Sequence, residues 1–206
     1  MKLHYHPLSS YSRKAAIGIG LRGDPVPLVT VDAFAGGLKT PAYLQLNPFG
    51  KMPVLELEDG SAIFESTSIL EYLEERGPRV LLPPGQERQA RHFDRLGDLY
   101  LLDPIGKFFW NKQPEVRTAT EATMGKAFGV WQAALADGRS FVCGPAITLG
   151  DLAAAVALHY AQTEGLEVPD FMAAYRERLF ATPVLQASSA AAMPFVAATL
   201  PRRQPA

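Results

Sequence analysis

Residues 77–86 read GPRVLLPPGQ, a stretch that no regular element can cross. Pro83 and Pro84 are adjacent and lack backbone donors, and Gly77 and Gly85 add freedom on either side. The chain is thereby cut into a first part, residues 1–77, a stiff connection over 78–86, and a second part, residues 87–206. The two parts carry different apolar periods, so the cut predicts two domains of different class.

The first part mixes periods. KLHYH alternates Leu3 and Tyr5 with polar neighbours and reads as a strand. From Ser12 to Leu21, Ala15, Ala16 and Ile19 recur at helical spacing, and Gly23 ends the segment. VPLVTVD is a second β-rich run, and PVLELEDGSAIFE reads as two strands around Asp59-Gly60, a dipeptide favoured in tight hairpins. STSILEYLEERGP then reads as a helix with Ile69, Leu70 and Leu73 on one face, Gly77 at C′ and Pro78 beyond. The second part has no alternating run. Segments 86–102, 115–136, 149–164 and 170–180 carry apolar residues three or four apart. The final PRRQPA reads as a frayed tail.

Composition narrows the function. With 48% hydrophobic and 20% charged residues the chain is expected to be globular. A formal net charge of -1 supplies no broad basic field, which argues against nucleic acid as a partner. A single cysteine excludes an internal disulfide framework, and MKLHYHPLSS lacks the apolar core of a secretory signal, so a cytoplasmic protein is expected. No apolar run approaches the roughly 18 residues of a membrane span, and no membrane partner is expected.

Three short stretches could carry chemistry. PLSSYSRKAA crowds Ser9, Ser10, Tyr11 and Ser12 at the start of a helix, where a hydroxyl either caps free N–H groups or holds an anion. In GKMPVLEL, a trans Pro53 would suit a strand edge, whereas a cis Met52-Pro53 bond would turn the Met52 backbone outward to pair with an extended peptide. FESTSIL places Glu65, Ser66 and Thr67 at a helix mouth. That is either a capped start or a site where N–H groups and Ser66 take a carboxylate and Glu65 an ammonium.

Taken in order, Pro7 to Lys14, Leu46 to Leu55 and Ile63 to Ile69 resemble the cytosolic glutathione transferase family. FVCGPAITLGDLAAA is similar to that family's buried capping segment, with Thr148 and Asp151 as a capping box and Ile147 with Leu152 as a hydrophobic staple. The resemblance implies an α/β thioredoxin-like N-terminal domain that binds glutathione plus an all-α C-terminal helical domain that binds an electrophile. It implies a homodimer, glutathione as co-substrate and no metal. Met52 before a cis Pro53 would bind the cysteinyl backbone, Glu65 and Ser66 the γ-glutamyl end, and Lys39 or Lys51 could approach the glycyl carboxylate.

On that reading a serine at the first helix stabilises the glutathione thiolate: Ser9 in alignment with zeta-like and tau-like enzymes, Ser10 in alignment with beta-type ones. A thiol of pKa about 8.5 is only ~3% ionised at pH 7. Lowering it by about two pH units takes roughly 2.7 kcal/mol, within reach of a charge-assisted hydrogen bond and a helix dipole. Tyr11 could also donate, and Tyr11, Tyr100 and Phe108 are candidates for the electrophile pocket, although aromatics at helical spacing also build cores. A glutathione-dependent isomerase resembling the zeta group and a non-catalytic regulator or scaffold are the alternative functions. The zeta group's Ser-Ser-Cys appears here as Ser9-Ser10-Tyr11. Cys143 reads as a packed hydrophobe, and His4, His6, His92 and His159 show no metal-ligand spacing.

Overall fold

The computed structural model describes residues 1–199 and 201; the PRRQPA tail, apart from Pro201, lies outside the described residues. The chain divides into two compact units, Met1–Val80 and Leu81 onward. In the first, strands β1 (Lys2–Tyr5), β2 (Leu28–Thr30), β3 (Val54–Glu56) and β4 (Ala62–Phe64) form one sheet in the order β2-β1-β3-β4. β1 and β2 are parallel because helix α1 (Ser10–Arg22) joins them, while β1–β3 and β3–β4 are antiparallel. The β3–β4 turn is wider than a two-residue hairpin. Leu57 N–H donates to the Ser61 carbonyl, and Gly60 alone is left-handed at φ 83°, the geometry of a turn closed by a glycine bulge.

The strand period sorts the core. Val54 packs with Tyr43 of helix α2 (Pro41–Leu46) and with Val31, whereas Leu55 and its register partner Leu3 point to the opposite face. Helix α3 (Ser66–Glu75) packs against α1 and the sheet, burying Ile69, Leu70 and Leu73. Two cations on α1, Arg13 and Lys14, are also buried, and Lys14 Nζ donates to Thr67 Oγ1 at 2.9 Å near the start of α3.

Gly77 occupies C′ of α3 but is not left-handed. The reason is Arg22. At the far end of α1 its guanidinium donates to the Leu73 carbonyl at 2.8 Å and the Pro78 carbonyl at 2.7 Å, and it pairs with Glu74 and Asp24. The first of these bonds serves the Leu73 carbonyl, one that a left-handed glycine cap would otherwise satisfy. A Cβ on Gly77 would sit 3.1 Å from Arg22 Nη2, so glycine there makes room for the arginine.

The second unit is built from helices α4 (Glu87–Gly97), α5 (Asp103–Trp110), α6 (Pro114–Ala134), α7 (Leu149–Thr163), α8 (Asp170–Phe180) and α9 (Pro183–Thr199). The segment read as one helix over 86–102 runs on: a π-helical turn, Asp98–Leu102, carries α4 into α5. Pro104 has no N–H and its ring crowds the carbonyl four residues back, and a widened turn there accommodates both. Leu81 and Leu82 of the 78–86 stretch are buried, and the Leu81 carbonyl accepts from Leu149 N–H at 2.9 Å. No single helix among the described residues is long and apolar enough to cross a membrane.

α7 is the axis of this unit, buried from Leu149 to Ala161. Its close approach to α4 depends on two glycines. A Cβ on Gly97 would come within 2.6 Å of Ala153 Cβ, and one on Gly150 within 2.8 Å of Phe93 Cβ. The capping box is formed: the fully buried Asp151 accepts from Thr148 N–H at 2.7 Å and Thr148 Oγ1 at 2.8 Å. Asp151 also accepts from Val142 N–H at 3.0 Å and from the Tyr175 hydroxyl. Burial pushes the Asp151 carboxyl up against the pull of these donors, and burial with Asp151 beside it holds Tyr175 far above the usual phenol range. Cys143 is buried in the same segment, and burial pushes its thiol up, as suits a packed hydrophobe.

Candidate active site

Register brings the three stretches together. His4 pairs with Val54 and Val54 with Phe64, so the residues just beyond that row leave the sheet at one end. These are the turn into α1 with Ser9, Ser10 and Tyr11, the Met52-Pro53 bond, and Glu65-Ser66. Lys39 and Lys51 are both exposed. They lie on neighbouring segments, because a Cβ on Gly50 would meet the Leu38 carbonyl at 3.1 Å. Tyr100 and Phe108 belong to the second unit. Tyr100 is exposed, whereas Phe108 is a core residue whose ring lies 3.9 Å from the Lys112 ammonium.

Each stretch is held by a specific local device. Ser9 is the N-cap of α1, with extended backbone and its Oγ accepting from Ser12 N–H at 3.3 Å, so α1 begins two residues earlier than the spacing from Ser12 indicates. Capping uses a lone pair and leaves the Ser9 O–H able to donate. Ser10 is the first helical residue, and both serines are half-buried.

The Met52-Pro53 bond is cis. The loop before it is fixed by two residues that sequence reasoning did not single out for a role. Buried Asn47 donates through Nδ2 to the Lys51 carbonyl at 2.9 Å and accepts from Phe49 N–H at 3.1 Å. Tyr43 OH donates to the same carbonyl at 2.9 Å, and burial pushes the Tyr43 hydroxyl up to about 12, which keeps it a donor across the physiological range. Asn in the Leu46 to Leu55 stretch was the available signal, since its side chain can mimic a backbone turn.

At α3 the N-cap is Glu65, with no side-chain cap bond, so neither Ser66 nor Thr67 caps this helix. Glu65 is also the one non-glycine with positive φ among the described residues, at 70°. Such a conformation costs about 1–3 kcal/mol and persists where surrounding structure enforces it. Helices α4, α5, α6, α7 and α8 each carry an acid in the first turn; α1 and α3 carry none. Two helix N-termini therefore lie at the end of the sheet where the three stretches gather, neither with an acid in its first turn and α3 with the Glu65 carboxylate at its N-cap.

Residues 8–76 match the domain described as "Glutathione S-transferase, N-terminal domain", and residues 114–181 match "Glutathione S-transferase, C-terminal domain". The Aspergillus fumigatus protein named maleylacetoacetate isomerase maiA is 30% identical over 194 residues, spanning 82% of this chain and 80% of that protein. The chain belongs to the glutathione S-transferase family. Glutathione S-transferase 2 of Saccharomyces cerevisiae is 27% identical over 192 residues, 85% of this chain and 82% of the relative. The crystal structure of Gtt2 from Saccharomyces cerevisiae superposes with a TM-score of 0.76 at 24% identity, covering 91% of this chain and 100% of that one. This likeness supports the transferase fold, a thioredoxin-like N-terminal domain followed by a helical one.

Proposed function

We propose that this transferase-family chain is an enzyme that adds the thiolate of glutathione to a small electrophile. The observation that carries the reading is the convergence, at one end of the sheet, of the Ser9 hydroxyl, the cis Met52-Pro53 bond and the start of α3 with Glu65 at its N-cap. Glutathione is a tripeptide with anionic ends and a thiol, and each feature suits one part of it. Met52 pairs with the cysteinyl backbone. Ser66 and the free N–H groups of α3 take the γ-glutamyl carboxylate while Glu65 takes its ammonium. Lys39 and Lys51 face the glycyl end. Ser9, rather than Ser10, donates to the sulfur, because its cap bond to Ser12 fixes the oxygen at the helix axis.

In the reaction the thiol proton leaves for solvent and the Ser9 O–H and the α1 dipole hold the sulfur anion. The sulfur lone pair then forms the S–C bond, and the leaving group departs with the bonding pair. Tyr11, half-buried at the start of α1, is the side chain that the first unit offers to the electrophile; in the second unit Tyr100 is exposed and Phe108 is buried as a packing residue. The protein acts as a cytoplasmic homodimer. Phe49, 70% exposed and set edge-to-face on Phe64 with Leu44 exposed on the same unit, provides apolar surface for a second copy.

The test is glutathione binding followed in the ultraviolet. Wild-type protein binds glutathione calorimetrically and develops thiolate absorbance near neutral pH. Ser9→Ala retains binding but shifts thiolate formation upward by about one to two pH units, and Ser10→Ala does not. Absence of binding would leave a scaffold. A second reading, glutathione-dependent cis–trans isomerisation, is favoured by the name of the Aspergillus fumigatus relative. Turnover of a cis-alkene diacid with no conjugation of aryl halides would establish it.

Glu65 separates charge from backbone. Glu65→Ala is expected to weaken glutathione binding by tenfold or more, since a charge-assisted bond is worth about 1.5–3 kcal/mol, with little change in melting temperature. Glu65→Gly loses the same affinity yet melts higher, because glycine tolerates positive φ.

A further inference from the structure

Three residues, His6, Pro7 and Leu8, separate β1 from the Ser9 N-cap, and His6 accepts from the backbone N–H groups of both Leu8 and Ser9. Leu8 N–H donates to the His6 ring at Nδ1, 3.1 Å, and Ser9 N–H donates to the His6 carbonyl at 3.0 Å. The imidazole is 4% exposed and meets Phe34 edge-to-face, with ring centroids 5.8 Å apart. Pro7 has no N–H of its own. The ring and the carbonyl of one residue thus fix where Ser9 stands.

We propose that His6 is the positioning residue for the Ser9 hydroxyl, acting through its Nδ1 acceptor on the Leu8 amide. The inference rests on the proposed role of Ser9 at the sulfur. Because a donor already points at Nδ1, the neutral ring carries its proton on Nε2, and the Leu8 bond needs that tautomer. Burial holds the ring pKa below the ordinary histidine value, against the pull of Asp32, which keeps the accepting form present near neutral pH. Asp32 is itself engaged, accepting from Phe34 N–H at 3.1 Å and Ala35 N–H at 2.9 Å. Without the Nδ1 acceptor the Leu8 amide must rotate toward another partner. The Ser9 oxygen then swings with it, and a donor aimed at a sulfur anion loses effect within a fraction of an ångström.

The test compares side chains that differ in that acceptor. In His6→Asn, Oδ1 stands where Nδ1 stood; His6→Phe keeps the ring contact with Phe34 but has no acceptor; His6→Gln places its oxygen one bond too far. Each is titrated with glutathione, and the ultraviolet thiolate band is followed against pH, with Ser9→Ala as reference. His6→Phe and His6→Gln are expected to lower the thiolate fraction at neutral pH about three- to tenfold, and His6→Asn to stay within about twofold of wild type. If His6→Phe fails to fold, His6→Gln against His6→Asn decides alone. The proposal is overturned if Ser9→Ala depletes the thiolate while His6→Phe and His6→Gln do not, or if His6→Asn is as damaged as they are. If Ser9→Ala itself leaves the band unmoved, the sulfur role of Ser9 fails first and that of His6 with it.

Discussion

Replacing Asp151 by alanine is expected to destabilise the helical unit by about 3–5 kcal/mol, the loss of a buried network. Four donors converge on this fully buried carboxylate: Thr148 N–H, Thr148 Oγ1, Val142 N–H and Tyr175 OH. Alanine removes all four acceptor sites and leaves two backbone amides and a phenol in a dry interior, each costing about 1–3 kcal/mol when unpaired. Asparagine is no remedy. One of its two groups is an NH2, which would confront either the Val142 N–H and Tyr175 OH pair or the Thr148 N–H. The measurement is a thermal melt, where a loss of this size corresponds to roughly 10–15 °C for a chain of this length. A shift of only a few degrees would show that water replaces the carboxylate at little cost. Because Asp151 lies in the unit without the glutathione stretches, any of the variant that remains folded should still bind glutathione.

Arg22→Ala is expected to cost a similar amount in the other unit. The Arg22 and Glu74 side chains are 1% and 3% exposed, so the pair is held out of water. Removing one member of a buried ion pair typically costs about 3–5 kcal/mol, because the remaining charge stays desolvated. Here two carbonyls, of Leu73 and Pro78, also lose their donor. Arg22→Lys rescues little, since one ammonium cannot reproduce the fork that serves Asp24, Glu74 and two carbonyls together. Arg22→Met combined with Glu74→Leu should recover part of the loss, as the uncompensated acid is gone. A double-mutant cycle by denaturant unfolding measures the coupling. Additivity of the two single changes would place the arginine's effect in the carbonyl bonds alone.

The elements that sequence disclosed are those whose signals are local. Gly23 stops α1 with a left-handed φ of 71°, Thr148 and Asp151 cap α7, and Ile69, Leu70 and Leu73 line the buried face of α3. Elements without a local signature went unread. α2 has six residues, α5 carries Pro104 in its first turn, and α9 contains Pro194 within an alanine-rich run of weak amphipathic pattern. Gly77 shows how a distant partner overrides a local rule, since its backbone answers to Arg22 some fifty residues away rather than to a cap motif. At the site, the hydroxyl, proline and acid motifs were visible because short segments carry them. Asn47 and His6 were harder to find. Their importance lies in which backbone amide or carbonyl they reach, a property of the folded turn and of no spacing in the chain.

The α1–α3 pair is tied at both ends, by Lys14 to Thr67 near the starts and by Arg22 to Leu73 at the finishes, so the two helices run side by side in the same sense. Parallel macrodipoles repel one another. Arg22 quiets that repulsion only at the trailing end, where the carbonyls are. At the leading end the acid is Glu65, the N-cap of α3, and neither first turn carries one of its own. On the proposed function an anionic guest would add a second negative charge at those two helix starts, so that capturing it also firms this half of the protein.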